Sequence, residues 1–197
     1  MKKGCLITVV AVVVVAVLVG VWAVGARNSF VTQEEGVTSA WSQVENVYQR
    51  RADLIPNLVE TVKGYAAHEQ TTLEGVVSAR AKATQITVDP DNLDAESLRR
   101  FQDAQGELGA ALGRLLAVSE NYPELKANEN FLQLQAQLEG TENRIAVERK
   151  KFNETVREYN VSVRKFPGNI AAMMFGFEAK PYFEAAAGAE QAPKVEF

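Results

Sequence analysis

Residues 37–62 read VTSAWSQVENVYQRRADLIPNLVETV. Apolar side chains recur at Val37, Trp41, Val44, Tyr48, Ile55, Leu58 and Val62, in steps of 3 or 4 or sums of them. That spacing lays them along one stripe of a helix. The stripe stays in phase through Ala66, Leu73, Val76 and Ala83. One first helix is therefore expected from about Phe30 to about Gln85, on the order of 80 Å long. Its near-heptad period predicts coiled-coil-like packing, side by side with other helices in a left-handed bundle. Pro56 removes one backbone donor and crowds the turn before it. No glycine or loop-forming cluster surrounds it, so a kink is expected rather than a hairpin.

Three charged residues, Arg51, Glu69 and Arg80, fall at gaps in the stripe. One reading puts them at its margin, with stems packed and heads in water. The sharper reading is a buried charge network between helices, which would need full pairing.

Residues 87–92 (TVDPDN) form a turn, because proline and Asx residues favour turns and helix starts. A second helix follows through Leu93, Leu98, Phe101, Ala104, Leu108, Leu112, Leu115 and Leu116. Gly106, Gly109 and Gly113 interrupt it, and close approach of a neighbouring helix is one reason to accept glycine there. A third helix runs from Pro123 or Asn128 to about Lys165, with Phe131, Leu134, Leu138, Ile145, Phe152, Val156, Tyr159, Val163 and Phe166 along its stripe. Pro167-Gly168-Asn169 stops it. Residues 170–177 (IAAMMFGF) are short and apolar. They read either as a helix closing one end of the bundle or as a contact for a partner or membrane. The chain divides into 1–27, 28–177 and a loosely ordered tail, 178–197, in which Tyr182 and Phe183 could dock.

Ahead of the bundle, Met1-Lys2-Lys3 precedes an unbroken apolar run over residues 4–26. A bilayer core needs about 20 such residues in a helix. A secretory signal usually has an apolar stretch of about 7–15 residues, so an uncleaved anchor is the preferred reading over a cleaved signal or a core helix. Lys2, Lys3 and the α-amine precede the span, and only Arg27 follows it closely. Flanking positive charge thus predicts a single pass through the cell membrane with the N-terminus cytoplasmic and the bundle outside. Cys5 is the one cysteine, which excludes disulfides within the chain; it reads as apolar filler or a palmitoylation site.

All 25 acidic residues lie after the run, as do all but Lys2 and Lys3 of the 21 basic ones, so the net charge beyond the run is −6. Binding nucleic acid needs a basic face, and this balance argues against it. It also argues against strong electrostatic adhesion to anionic lipid. Chemistry is equally sparse. His68-Glu69 begins a helical zinc-protease motif, but position 72 is Thr and no second histidine exists. Di-metal bundles need paired Glu-x-x-His units, which one histidine cannot supply. No G-x-S-x-G elbow accompanies the histidine. No cofactor, metal or catalytic residue is expected. The helix glutamates read as solvated faces carrying ion pairs with residues such as Lys150 and Lys151. Asn153-Glu-Thr and Asn160-Val-Ser match glycosylation acceptors, yet both sit in helical pattern.

The motifs taken together resemble a known family. Asn28-x-Phe30-Val31 follows the anchor. Then come Ala40-Trp41, Val44-Glu45-Asn46, Tyr48-Gln49-Arg50-Arg51-Ala52-Asp53-Leu54-Ile55-Pro56-Asn57-Leu58-Val59, Val62-Lys63-Gly64-Tyr65 and His68-Glu69. Ala79-Arg80, Tyr122-Pro123-x-Leu125-Lys126-Ala127-Asn128, Glu142-Asn143, Tyr159-Asn160, Phe166-Pro167, Gly176-Phe177 and Pro181-Tyr182-Phe183 complete the pattern. It is similar to the LemA family over almost the whole chain. The resemblance implies an all-α fold: an antiparallel, up-and-down four-helix bundle on one membrane anchor. It implies no enzyme activity and no cofactor, in bacterial proteins that often occur near membrane metalloproteases or other envelope proteins. It also implies the short N-terminus outside, against the charge reading, which is the one kept here.

The leading expectation is a non-enzymatic, membrane-anchored interaction or scaffold module for an envelope protein. Its candidate docking residues are Gln49, Arg50, Arg51, Asp53 and Asn57 around Pro56, with Met173, Met174, Phe175 and Phe177 near the C-terminus. Around Pro56 a local reading competes, in which Asp53 and Asn57 satisfy backbone groups freed by the proline. The second expectation is an envelope-structuring protein that self-associates, using residues 170–177 and the small pair Ala16 and Gly20 in the span.

Overall fold

The computed structural model describes residues 2–184, apart from the side chains of Lys2, Lys3 and Cys5. The roles read for those three side chains, and the tail over 185–197, lie outside the described residues. Among the described residues six helices follow one another: α1 Lys2–Lys63, α2 Gln70–Gln85, α3 Ala95–Ser119, α4 Pro123–Lys126, α5 Glu129–Arg164 and α6 Gly168–Phe175. No strand occurs among the described residues.

α1 is one unbroken helix that carries the apolar run directly into the bundle. It is long and apolar enough to cross a membrane, and its apolar part is almost wholly exposed. Pro56 lies inside α1 and does not end it. The expected single helix to Gln85 is corrected here: the chain leaves the helix at residues 64–69, and α2 folds back along α1. A basic residue, Lys63, ends the helix and Gly64 follows it, though Gly64 keeps negative φ and its N–H still bonds Glu60 O at 3.2 Å. Short turns close the break, with Tyr65 N–H on Val62 O at 3.0 Å and Glu69 N–H on Ala66 O at 3.0 Å. Ala66 stays fully buried inside the turn, which is why the apolar stripe keeps its phase while the chain reverses.

The other boundaries follow from local chemistry. Asp94 caps α3 by accepting from Ser97 N–H at 2.8 Å. Asn128 caps α5 by accepting from Phe131 N–H at 3.0 Å. Each satisfies a donor that a helix start leaves free. These bonds hold the Asp94 carboxyl below the usual carboxylate range, the Ser97 side chain first and its backbone N–H next. Gly176 ends α6 in the left-handed conformation, φ 77°, which glycine adopts without strain. At Gly168 any Cβ would collide with the Ser162 carbonyl oxygen. The glycines of α3 differ: a Cβ at Gly106, Gly109 or Gly113 meets nothing within 4 Å. The close helix approach expected of them does not occur among the described residues.

The core falls into two apolar clusters. The one nearer the apolar run gathers Phe30, Trp41, Tyr48, Phe101, Phe152, Tyr159 and Phe183, with Trp41 edge-on to Phe101 and Phe152. The farther one gathers Ile55, Leu58, Val62, Val76, Leu108, Leu115, Phe131 and Leu138. Burial of such side chains is the main stabilising term, roughly 1.5–3 kcal/mol for each large one. A polar layer separates the clusters along α1.

Candidate polar layer and surfaces

Arg51 lies between the two clusters and is only 3% exposed. Its Nη1 donates to Glu142 Oε2 on α5 at 2.8 Å. Its Nη2 donates to Gln105 Oε1 on α3 at 2.6 Å and to the Gln105 carbonyl at 3.2 Å. The guanidinium stands 5.1 Å from the centre of the Tyr48 ring, one turn earlier. Gln105 Nε2 in turn reaches Ala83 O on α2 at 3.4 Å. One arginine thus ties α1 to α3 and α5, in a geometry a planar guanidinium suits and an ammonium would not. Burial pushes the Tyr48 hydroxyl above its ordinary range, against the opposing pull of Arg149 and Arg51. The layer opens on one side into a cleft of about 610 Å³, lined by Tyr48, Arg51, Arg99, Arg149 and Glu142 among others.

Arg80, on α2, donates from Nε to the Ala52 carbonyl at 2.8 Å. In a helix that carbonyl would accept from residue 56, and Pro56 has no N–H. The expectation that Asp53 and Asn57 serve the backbone near the proline is corrected accordingly. Asp53 instead accepts from Gln49 Nε2 at 2.7 Å, and Asn57 offers its own carbonyl to Thr61 Oγ1 at 2.7 Å. Glu69 accepts from the Tyr122 hydroxyl at 3.1 Å, a bond that pushes the phenol up. Arg51 is buried and pairs with Glu142 and Gln105, but its Nε has no partner among the described residues. Arg80 and Glu69 are half-buried at the stripe's margin, so the fully paired buried charge network does not form.

The expected docking residues therefore separate. Gln49, Arg50, Asp53 and Asn57 are exposed and fall within an arc of about 100° on α1. Arg51 is on the opposite side, nearly buried at the floor of the cleft, with its guanidinium committed to Glu142 and Gln105. Met173, Met174 and Phe175 are exposed, while Phe177 turns inward to lie 5.2 Å from the Phe30 ring. The two groups are not brought together: Gln49 is about 30 Å along α1 from Phe30. His68 is exposed in the turn after α1. Among the described residues no group of three or more His, Cys, Asp or Glu is placed to hold a metal. Lys150 and Glu154 form one of the surface ion pairs read from the sequence, at 3.9 Å, in a class that contributes little.

Sequence reasoning missed the role of Asn153 and Asn160. Both lie on α5, and each grips the returning chain through both ends of its amide. Asn160 donates to Lys180 O at 2.9 Å and accepts from Lys180 N–H at 2.8 Å. Asn153 donates to Phe183 O at 3.0 Å and accepts from Phe183 N–H at 2.8 Å. The returning segment is thus clamped at Lys180 and Phe183 by helix side chains, and Phe183 enters the core stacked on Trp41 at 5.8 Å. Lys180 adds an ion pair to Glu34 at 2.9 Å. The seven-residue spacing of two asparagines on a buried face was the available signal.

The LemA family profile matches residues 40–197. Magnetosome protein MamQ of Magnetospirillum gryphiswaldense is 30% identical over 173 residues, 79% of this chain and 64% of that protein. Magnetosome protein MamQ 2 of Paramagnetospirillum magneticum is 29% identical over 174 residues, covering 80% of this chain and 64% of its own length. Protein LemA of Metamycoplasma hominis is 22% identical over 162 residues, 82% of this chain and 70% of that protein. The chain thus spans just under two thirds of the MamQ proteins' length, and no catalytic family is indicated. With its family profile matched over most of its length, this chain belongs to the LemA family.

Proposed function

We propose that this protein is a non-enzymatic scaffold, a helical bundle fixed to the bacterial envelope that docks another envelope protein. The observation that carries the reading is the unbroken passage of α1 from the apolar run into the bundle. Such continuity gives the bundle a fixed attitude at the membrane. Its long helices read as an up-and-down antiparallel bundle: Arg51 of α1 meets Glu142 of α5, and Phe30 lies beside Gly168 just after α5. The N-terminus faces the cytoplasm and the bundle lies outside. The docking surface is the exposed set Gln49, Arg50, Asp53 and Asn57, since Arg51 is committed to the interior.

Cross-linking in native membranes, read by mass spectrometry, tests this. Links from the Arg50 face to one foreign protein, lost in a Gln49→Ala/Arg50→Ala/Asn57→Ala variant that still folds, are expected. Links only between copies of this chain would reject it and favour a self-associating, membrane-structuring role. That second reading rests on the small residues Ala16 and Gly20, one turn apart in the span.

A further inference from the structure

The two sides of α6 differ. Ala171 and Ala172 are buried, while Ile170, Met174 and Phe175 stay exposed and Met173 is 81% exposed. Phe166, just before the helix, is 78% exposed. From Lys165 to Phe177 there is no Asp or Glu, and Arg164 and Lys165 are exposed at the edge of the segment. Exposed apolar side chains on one short helix, flanked in sequence by the exposed cations Arg164 and Lys165, call for a covering.

The position of α6 identifies that covering. Gly168 starts α6 next to the Phe30 ring, and the chain leaving the helix brings Phe177 back to the same ring. α6 therefore lies across the end of the bundle at the level of Phe30. Ala26, the last residue of the apolar run, packs against the cluster that contains Ala171 and Ala172. Ala23, one turn deeper in the run, is buried as well. Because α1 is continuous, Phe30 stands only about 6 Å beyond the run's end. The asparagine clamps on Lys180 and Phe183 hold the chain after α6, and Gly168 packs on Ser162 before it.

We infer that Phe166 and the exposed side of α6 rest in the interfacial region of the same bilayer that α1 crosses, a second membrane contact of this chain. Methionine side chains adapt to the irregular acyl boundary. Arg27, Arg164 and Lys165 extend their charges to headgroup level from an apolar seat. The contact holds for either orientation of the chain, and stands whether or not a partner docks around Arg50.

The test uses the full chain with Cys5→Ser and Met173→Cys, carrying an environment-sensitive nitrobenzoxadiazole dye. It is reconstituted in nanodiscs of phosphatidylcholine, with and without phosphatidylglycerol, containing lipids with a doxyl quencher near the headgroup. Blue-shifted emission and quenching several-fold above that of the same dye at Gln43→Cys are expected in both lipid mixtures. Water-like emission at position 173 overturns the inference. So does blue-shifted emission that the lipids fail to quench, since protein would then be the covering.

Discussion

Arg80 serves the one carbonyl in α1 that Pro56 leaves without a helical donor, the oxygen of Ala52, from 2.8 Å away. A proline that should weaken a long helix thereby becomes the point where α2 is fastened to it. Removing the arginine leaves a partly enclosed carbonyl unpaired.

Arg80→Ala is expected to cost about 1–3 kcal/mol. In a Pro56→Ala background, residue 56 regains an N–H for Ala52, and the same change should cost below about 0.5 kcal/mol. Denaturant unfolding of the four full-length proteins in micelles gives the coupling. Additive costs would break the link between the two residues.

The Arg51 layer predicts an asymmetry. Arg51→Ala empties a buried site and strands Gln105, and should cost about 3 kcal/mol. Glu142→Ala removes a carboxylate that is 61% exposed, and water can replace it on Nη1, so about 1 kcal/mol is expected. Arg51→Met, which restores the alkyl stem, should fall between. Equal losses for Arg51→Ala and Glu142→Ala in unfolding midpoints would contradict this order.

Tyr159 is fully buried, and among the described residues its hydroxyl has no hydrogen-bond partner. Tyr159→Phe should therefore change stability by no more than about 0.5 kcal/mol at neutral pH. Burial first, then Glu34 and Glu178, raise the phenol from 10.0 to about 12. A raised folded value means the contribution is complete below pH 10 and is lost as pH rises through about 12. Stability measured across that window should fall less steeply in the phenylalanine variant.

Asn153→Ala with Asn160→Ala should release residues 178–184 while leaving α5 helical. Limited proteolysis is expected to cut the released segment much faster, with little change in helical circular dichroism. Unchanged cleavage would show that Phe183 stacked on Trp41 holds the segment without the amides.

Much of the fold was legible in the apolar periodicity. The helices around Leu108 and Phe152 lie near their expected positions because the turn at 87–92 and the proline at 123 bound their apolar stripes; the caps Asp94 and Asn128 set the exact starts. The turn after Lys63 was hidden because Ala66 and Leu73 keep the stripe's period across it. The polar sites were harder to read. Arg50 and Arg51 are neighbours in sequence, yet helix geometry sends one outward and the other into the core. Asn153 and Asn160 resembled acceptors for sugars, because their real partners are backbone groups reached only after the chain has doubled back.

From Arg27 to Lys63, α1 rises on the order of 55 Å without a joint. A rod of that kind works as a ruler. With the apolar run in a bilayer, as proposed above, a ligand near the far turn would sit at a set height over the lipid, and one beside Phe30 would sit against it. A tilt of a few degrees at the apolar run would carry through the unbroken helix and move its far turn sideways by on the order of several ångströms.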